Sequence, residues 1–74
     1  MSARPQKRSV TLKGHRTSVS LEDAFWHELK RLAAQRKMAI NALVSEIDVA
    51  RGTEIGLASA IRLHVLQALK DGQL

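Results

Sequence analysis

The stretch Arg16-Thr17-Ser18-Val19-Ser20-Leu21 alternates polar and apolar residues, the two-residue period of a strand with one wet face and one buried face. Four residues later the spacing changes, and Phe25, Trp26, Leu29, Leu32 and Ala33 recur at helical intervals. The chain must therefore fold as a strand that gives way at once to helices. On the strand, residues 15–21, Thr17, Val19 and Leu21 point to one side and Arg16, Ser18 and Ser20 to the other. A single strand leaves its N–H and C=O groups unpaired, and no second strong strand follows it. The expected partner is the same strand of a second copy. Two copies paired antiparallel make a ribbon that carries Arg16, Ser18 and Ser20 of both chains on its outer face.

The remaining elements follow from the same patterns. Residues 1–13 hold the only proline, Pro5, and little apolar material; they read as a flexible basic arm in front of one domain, residues 14–74. Ser9-Val10-Thr11-Leu12 is a short possible extension of strand, and Lys13-Gly14 a break. A first helix is expected over 22–36, started by Ser20 or the carboxylates of Glu22 and Asp23. A turn at 37–39 leads to a second helix over 40–50, with Ile40, Leu43, Val44 and Ile47 on one face and Gly52 as its left-handed cap. A third helix spans 57–70, striped by Leu57, Ile61, Val65, Ala68 and Leu69, and Asp71-Gly72 stops it.

Seventy-four residues make at most one domain, and a core this small is marginal without a disulfide, a metal or a partner. The chain has no cysteine, which removes disulfides and the thiolate zinc sites. An obligate homodimer is the stabiliser that remains. Trp26, Leu29, Leu43, Val44 and Ile47 from the helices, with Thr17, Val19 and Leu21 from the strand, are the expected core and subunit contact. His15, His27 and His64 fall on three different elements, and no spacing brings two onto one helical face, so no metal or cofactor is expected. No nucleophile elbow, phosphate loop or paired-acid motif is present, and an enzyme is not expected. No apolar run is long enough to span a membrane, and the basic N-terminus lacks the apolar core of a secretory signal; the expected location is the cytoplasm.

Charge is segregated. Arg4, Lys7, Arg8, Lys13 and Arg16 precede the first carboxylate, Glu22, while residues 22–74 hold seven Lys/Arg and seven Asp/Glu. The whole net charge of +5 therefore sits on the N-terminal segment. A half-exposed strand shows polar residues outward in any case, but the coincidence with this charge points to a ribbon that reads nucleic acid. Arg16 offers a planar fork of donors that matches guanine O6 and N7. Ser18 and Ser20 are short enough to sit beneath a ribbon close to the bases. Lys7, Arg8 and Lys13 are expected on phosphates, with His15 at the ribbon's border. Arg62 is expected to pair with Glu46 or Asp48.

A basic strand followed by helix, short turn and helix resembles the ribbon-helix-helix proteins of the Met repressor/Arc class, which read DNA with a β-ribbon. Gly14-His15-Arg16-Thr17-Ser18-Val19-Ser20-Leu21-Glu22, then Phe25-Trp26, then Leu57-Ala58-Ser59-Ala60-Ile61-Arg62, is similar to a bacterial subfamily with an additional C-terminal helix. The resemblance implies a mainly α fold: one N-terminal strand pairing with its copy in an intertwined homodimer, followed by three helices. It also implies a small transcriptional regulator, such as a repressor, whose ribbon enters the major groove, and a phosphate held by the N–H groups that open the second helix, here Ala39, Ile40 and Asn41. Ala39 has no side chain to cap that helix, and Lys37 stands where the family usually has Gly. Asn41 is the candidate to replace the cap or meet the phosphate. Two rival readings are a protein-interaction module such as an antitoxin with a protein partner, and a non-specific nucleic-acid binder. An antitoxin's neutralising tail is expected beyond the last helix, and the chain ends about four residues after it.

Overall fold

Lys13 and Gly14 both have positive φ, 52° and 79°, the signs that a type I′ turn demands of its two central residues. A I′ turn matches the right-handed twist of flanking strands, so the chain folds back on itself here. Strand β1, Gln6–Leu12, pairs antiparallel with β2, His15–Leu21. The computed structural model describes residues 3–72. The expected flexible arm is thus, from Gln6 onward, a strand, and it supplies within the chain the partner that β2 was expected to find only in a second copy. The part of the arm at residues 1–2 lies outside the described residues.

The register is Gln6↔Leu21, Lys7↔Ser20, Arg8↔Val19, Ser9↔Ser18, Val10↔Thr17, Thr11↔Arg16 and Leu12↔His15. Partners opposite one another point to the same face, so the hairpin has an inner face with Arg8, Val10, Val19 and Leu21 and an outer face with the residues between them. Val10, Val19 and Leu21 are buried. Thr17, expected in the core with them, lies on the inner side but is exposed; its neighbour Val10 is buried, so at that level the helices cover β1 and not β2.

Three helices complete the core: α1, Asp23–Gln35; α2, Ile40–Arg51; and α3, Leu57–Lys70. Leu29, Leu32 and Ala33 of α1 meet Leu43, Val44 and Ile47 of α2 and Ala60, Ile61, Val65 and Ala68 of α3. Every buried residue among those described is hydrophobic; on the half-buried Glu28 of α1 one carboxylate oxygen, Oε2, is buried without a hydrogen-bond partner. Trp26 is half-buried and packs against this cluster from its rim. The sheet sits over the helices with α2 packed against β1 and α3 against β2.

The helix ends are set by backbone chemistry. Helix α1 closes with the Met38 N–H donating to the Ala33 carbonyl and the Lys37 N–H to the Ala34 carbonyl, both at 3.0 Å. This paired arrangement satisfies carbonyls that the helix leaves orphaned, and it requires the left-handed φ of 55° found at Lys37. Neither α1 nor α2 has a side-chain N-cap; Glu22 and Ala39 occupy those positions in extended conformation. Gly52 ends α2 as expected, but its φ of 68° and ψ of −149° lie outside the left-handed helical basin, in a region essentially reserved for glycine. Among the described residues no helix is long and apolar enough to cross a membrane, and no three His, Cys, Asp or Glu side chains converge as metal ligands do.

Candidate nucleic-acid interface

The outer face of the hairpin carries Lys7, Ser9 and Thr11 from β1 and Arg16, Ser18 and Ser20 from β2. All six are exposed. Arg16 sits opposite Thr11, Ser18 opposite Ser9, and Ser20 opposite Lys7. Lys13 projects from the turn, also exposed. Lys7, Lys13 and Arg16 meet no carboxylate among the described residues. The three residues expected to read bases are therefore brought together on one exposed, acid-free face. Ser9 and Thr11 join them, and sequence reasoning did not assign either. The signal was present: Ser9-Val10-Thr11-Leu12 alternates, and a Gly-containing dipeptide separates it from the next alternating run. Lys-Gly is a weaker hairpin mark than Asn-Gly, so it read as a break.

Arg8 departs from its expected place. Its position in the register turns it to the inner face, where its Nε and Nη2 donate to the Leu21 carbonyl at 3.3 and 3.2 Å and Nη2 also pairs with Asp23. Its guanidinium lies 5.4 Å from the centre of the Trp26 ring, within reach of a cation–π attraction. Arg8 therefore ties β1 to the start of α1 and is committed to the fold. His15 shares the inner side with Leu12, next to the turn, and is exposed.

The two edges of the hairpin differ. Closure at Leu12 and His15 means that the main-chain groups of Lys7, Ser9 and Thr11, and of Arg16, Ser18 and Ser20, point away from the partner strand. On the β1 side, the Thr11 N–H donates to Asn41 Oδ1 at 3.3 Å. Asn41, a candidate for capping α2 or meeting phosphate, thus binds the sheet edge and places the start of α2 beside β1. The Ala42 and Leu43 N–H groups both donate to the Ala39 carbonyl. Those of Ile40 and Asn41, together with Ala39, remain at the exposed mouth of the helix, where backbone N–H groups and the helix dipole favour an anion. On the β2 side no group among the described residues engages the edge. Helix α3 packs against β2 and leaves Leu63, Leu66 and Leu69 more than half exposed.

Behind the face, ion pairs hold the helices. Arg62 binds Glu22 with two hydrogen bonds of 2.9 Å, rather than Glu46 or Asp48. Helix α3 packs against both α1 and β2, so Arg62 reaches the residue that joins them, and its guanidinium also lies 5.8 Å from the Phe25 ring. The Glu22 carboxyl is held below its ordinary pKa, first by a hydrogen bond from its own backbone N–H and then by Arg62. Glu46 is taken by Arg36, at 2.5 and 3.1 Å, which lowers its pKa, and Asp48 by Arg51 at 2.7 Å.

Residues 5–69 match the family model of the ribbon-helix-helix domain, a span that takes in the hairpin and all but the last residue of α3. Neither a curated protein nor a solved structure matches the chain.

Proposed function

Because this chain belongs to the ribbon-helix-helix family, a family of DNA-binding regulators that act as dimers, we propose that it is a sequence-specific repressor whose β2 strands, one from each of two copies, read the major groove as a shared ribbon. The observation that carries this reading is the outer face of the hairpin, exposed throughout and holding cations without a single acid. Arg16, Ser18 and Ser20 read base edges, Arg16 with the planar fork suited to guanine. Lys7 and Lys13 meet phosphates, and the N–H groups at Ala39, Ile40 and Asn41 hold a further one at each flank. Arg8, bound into the fold, leaves this set.

The open edge of β2 supports the pairing of two copies. The main-chain groups of Arg16, Ser18 and Ser20 point outward there, and an unpaired strand edge is a template for another. The order across the joined sheet is β1, β2, then the partner's β2 and β1.

The test is binding to genomic fragments, the region upstream of the chain's own gene included, across a salt series with excess competitor DNA. One fragment retained under competition, bound by two copies at a near-palindromic site, is the expected result. Binding that is blind to sequence and falls steeply with salt overturns the base-reading role, and no binding at all overturns the DNA reading in favour of a protein-interaction module.

A further inference from the structure

β1 is where the geometry goes beyond a two-stranded reader. Strands in a sheet lie about 4.8 Å apart, so the outermost axes of a four-stranded sheet are separated by roughly 14 Å. The major groove is about 12 Å wide and admits a two-stranded ribbon. In the joined sheet the central β2 pair fits and the flanking β1 strands do not. They come to rest over the groove walls, which are sugar and phosphate. What β1 turns toward those walls is Lys7, Ser9 and Thr11, exposed and on the same face as Arg16, Ser18 and Ser20. These are one cation and two short hydroxyls, donor groups suited to phosphate oxygens. The main-chain bond from Thr11 to Asn41 fixes this strand against the start of α2, so the wall-facing row is held rather than loose.

Resting on the DNA-reading function proposed above, we infer that β1 is a phosphate-contacting strand: Lys7, Ser9 and Thr11 grip the backbone on both sides of the groove and position the central strands without reading sequence. Ser9 and Thr11 are thereby assigned a role in binding, and the hairpin divides its work between its two strands.

The experiment uses the full chain with Lys7→Gln, Ser9→Ala and Thr11→Val, and Arg16→Ala as the reference reader. Thr11→Val keeps the strand preference and the backbone N–H that Asn41 accepts from, and thermal melts check that each variant folds. Affinity is measured on the selected operator and on random duplex of equal length over a salt series. Ser9→Ala and Thr11→Val each weaken both DNAs by the same factor, about two- to tenfold. Lys7→Gln weakens both alike and makes the slope of log K against log salt shallower by about two per dimer, one phosphate contact being lost from each chain. Arg16→Ala erodes the preference for operator. If Ser9→Ala or Thr11→Val shifts which bases are preferred, β1 is inside the groove and the inference falls. Unchanged affinity in all three β1 variants also overturns it. Either failure, with the wild-type chain still bound to its operator, leaves the DNA-reading function standing; a wild-type chain that binds no duplex defeats both.

Discussion

On the helical body Arg31, Arg36, Arg51 and Arg62 each meet a carboxylate, whereas on the outer face of the hairpin Lys7 and Arg16 meet none. Position in the sequence does not make the difference. Lys7 and Arg8 are neighbours in β1, yet Arg8 is paired with Asp23 and the Leu21 carbonyl while Lys7 is left open to solvent. The alternation of the strand decides: one residue faces the core and its partners, the next faces outward. On the body, Arg36 and Arg62 join separate elements, while Arg31 and Arg51 pair within their own helices. The cations on the outer face contribute little to the fold and stay available for a ligand.

The comparison breaks most severely if the common core is removed. Leu43→Ala deletes a fully buried side chain and is expected to cost about 2–5 kcal/mol. In denaturant melts the hairpin and the helices should be lost in one transition, because Val10, Val19 and Leu21 lie in the same cluster. Gly52→Ala tests stability with no charge altered. Nothing lies within 4 Å of an added Cβ, so the expected loss of about 1–3 kcal/mol comes from the backbone conformation alone. DNA affinity of the folded fraction should stay as it was.

Arg16→Ala is the converse. Thermal stability should stay within about 0.5 kcal/mol of wild type, while discrimination between operator and random DNA falls by about 1–3 kcal/mol for each base pair that Arg16 reads. Lys37→Gly relieves a non-glycine residue held at φ 55°. The relief, less the extra freedom of glycine in the unfolded chain, leaves a gain of about 0.5–1 kcal/mol, read as a raised melting temperature.

The smallest effect sharpens the account of the body. Glu22 has a folded pKa below its ordinary value. Its contribution is therefore present above the unfolded pKa and lost as pH falls through the lower, folded one. In Arg62→Ala one cause of that lowering is gone, so the loss of stability on acidification should be smaller, and finish at higher pH, than in wild type. Melts across the acid range decide it, and coincident acid limbs would show that the pair carries no such linkage.

Helices were legible because their signal is local and redundant. The stripes and stop residues placed all three within one residue of their observed ends. The outer face of β2 was legible for the same reason: alternation alone puts Arg16, Ser18 and Ser20 together. β1 was less visible. Its apolar positions are only Val10 and Leu12, Arg8 fills an inward position, and the turn that sets its register is a lysine forced to positive φ. Long-range polar partners were not legible at all. Nothing near Arg62 in sequence distinguishes Glu22, forty residues away, from Glu46 or Asp48, and nothing near Asn41 marks the Thr11 N–H as what its side chain would bind. Those pairings exist only once the helices have packed.

The bond between Thr11 and Asn41 also bears on how copies would add to the sheet in the proposed assembly. A hairpin with two free edges would add a neighbour on either side, and each newcomer would offer an edge to the next, as in a fibre. Here an incoming strand on the β1 side finds the Thr11 N–H taken and α2 packed against the strand. The β2 edge is the more open of the two. In the proposed assembly the second chain would therefore complete the sheet, with the Asn41 amide and α2 covering part of the opposite edge.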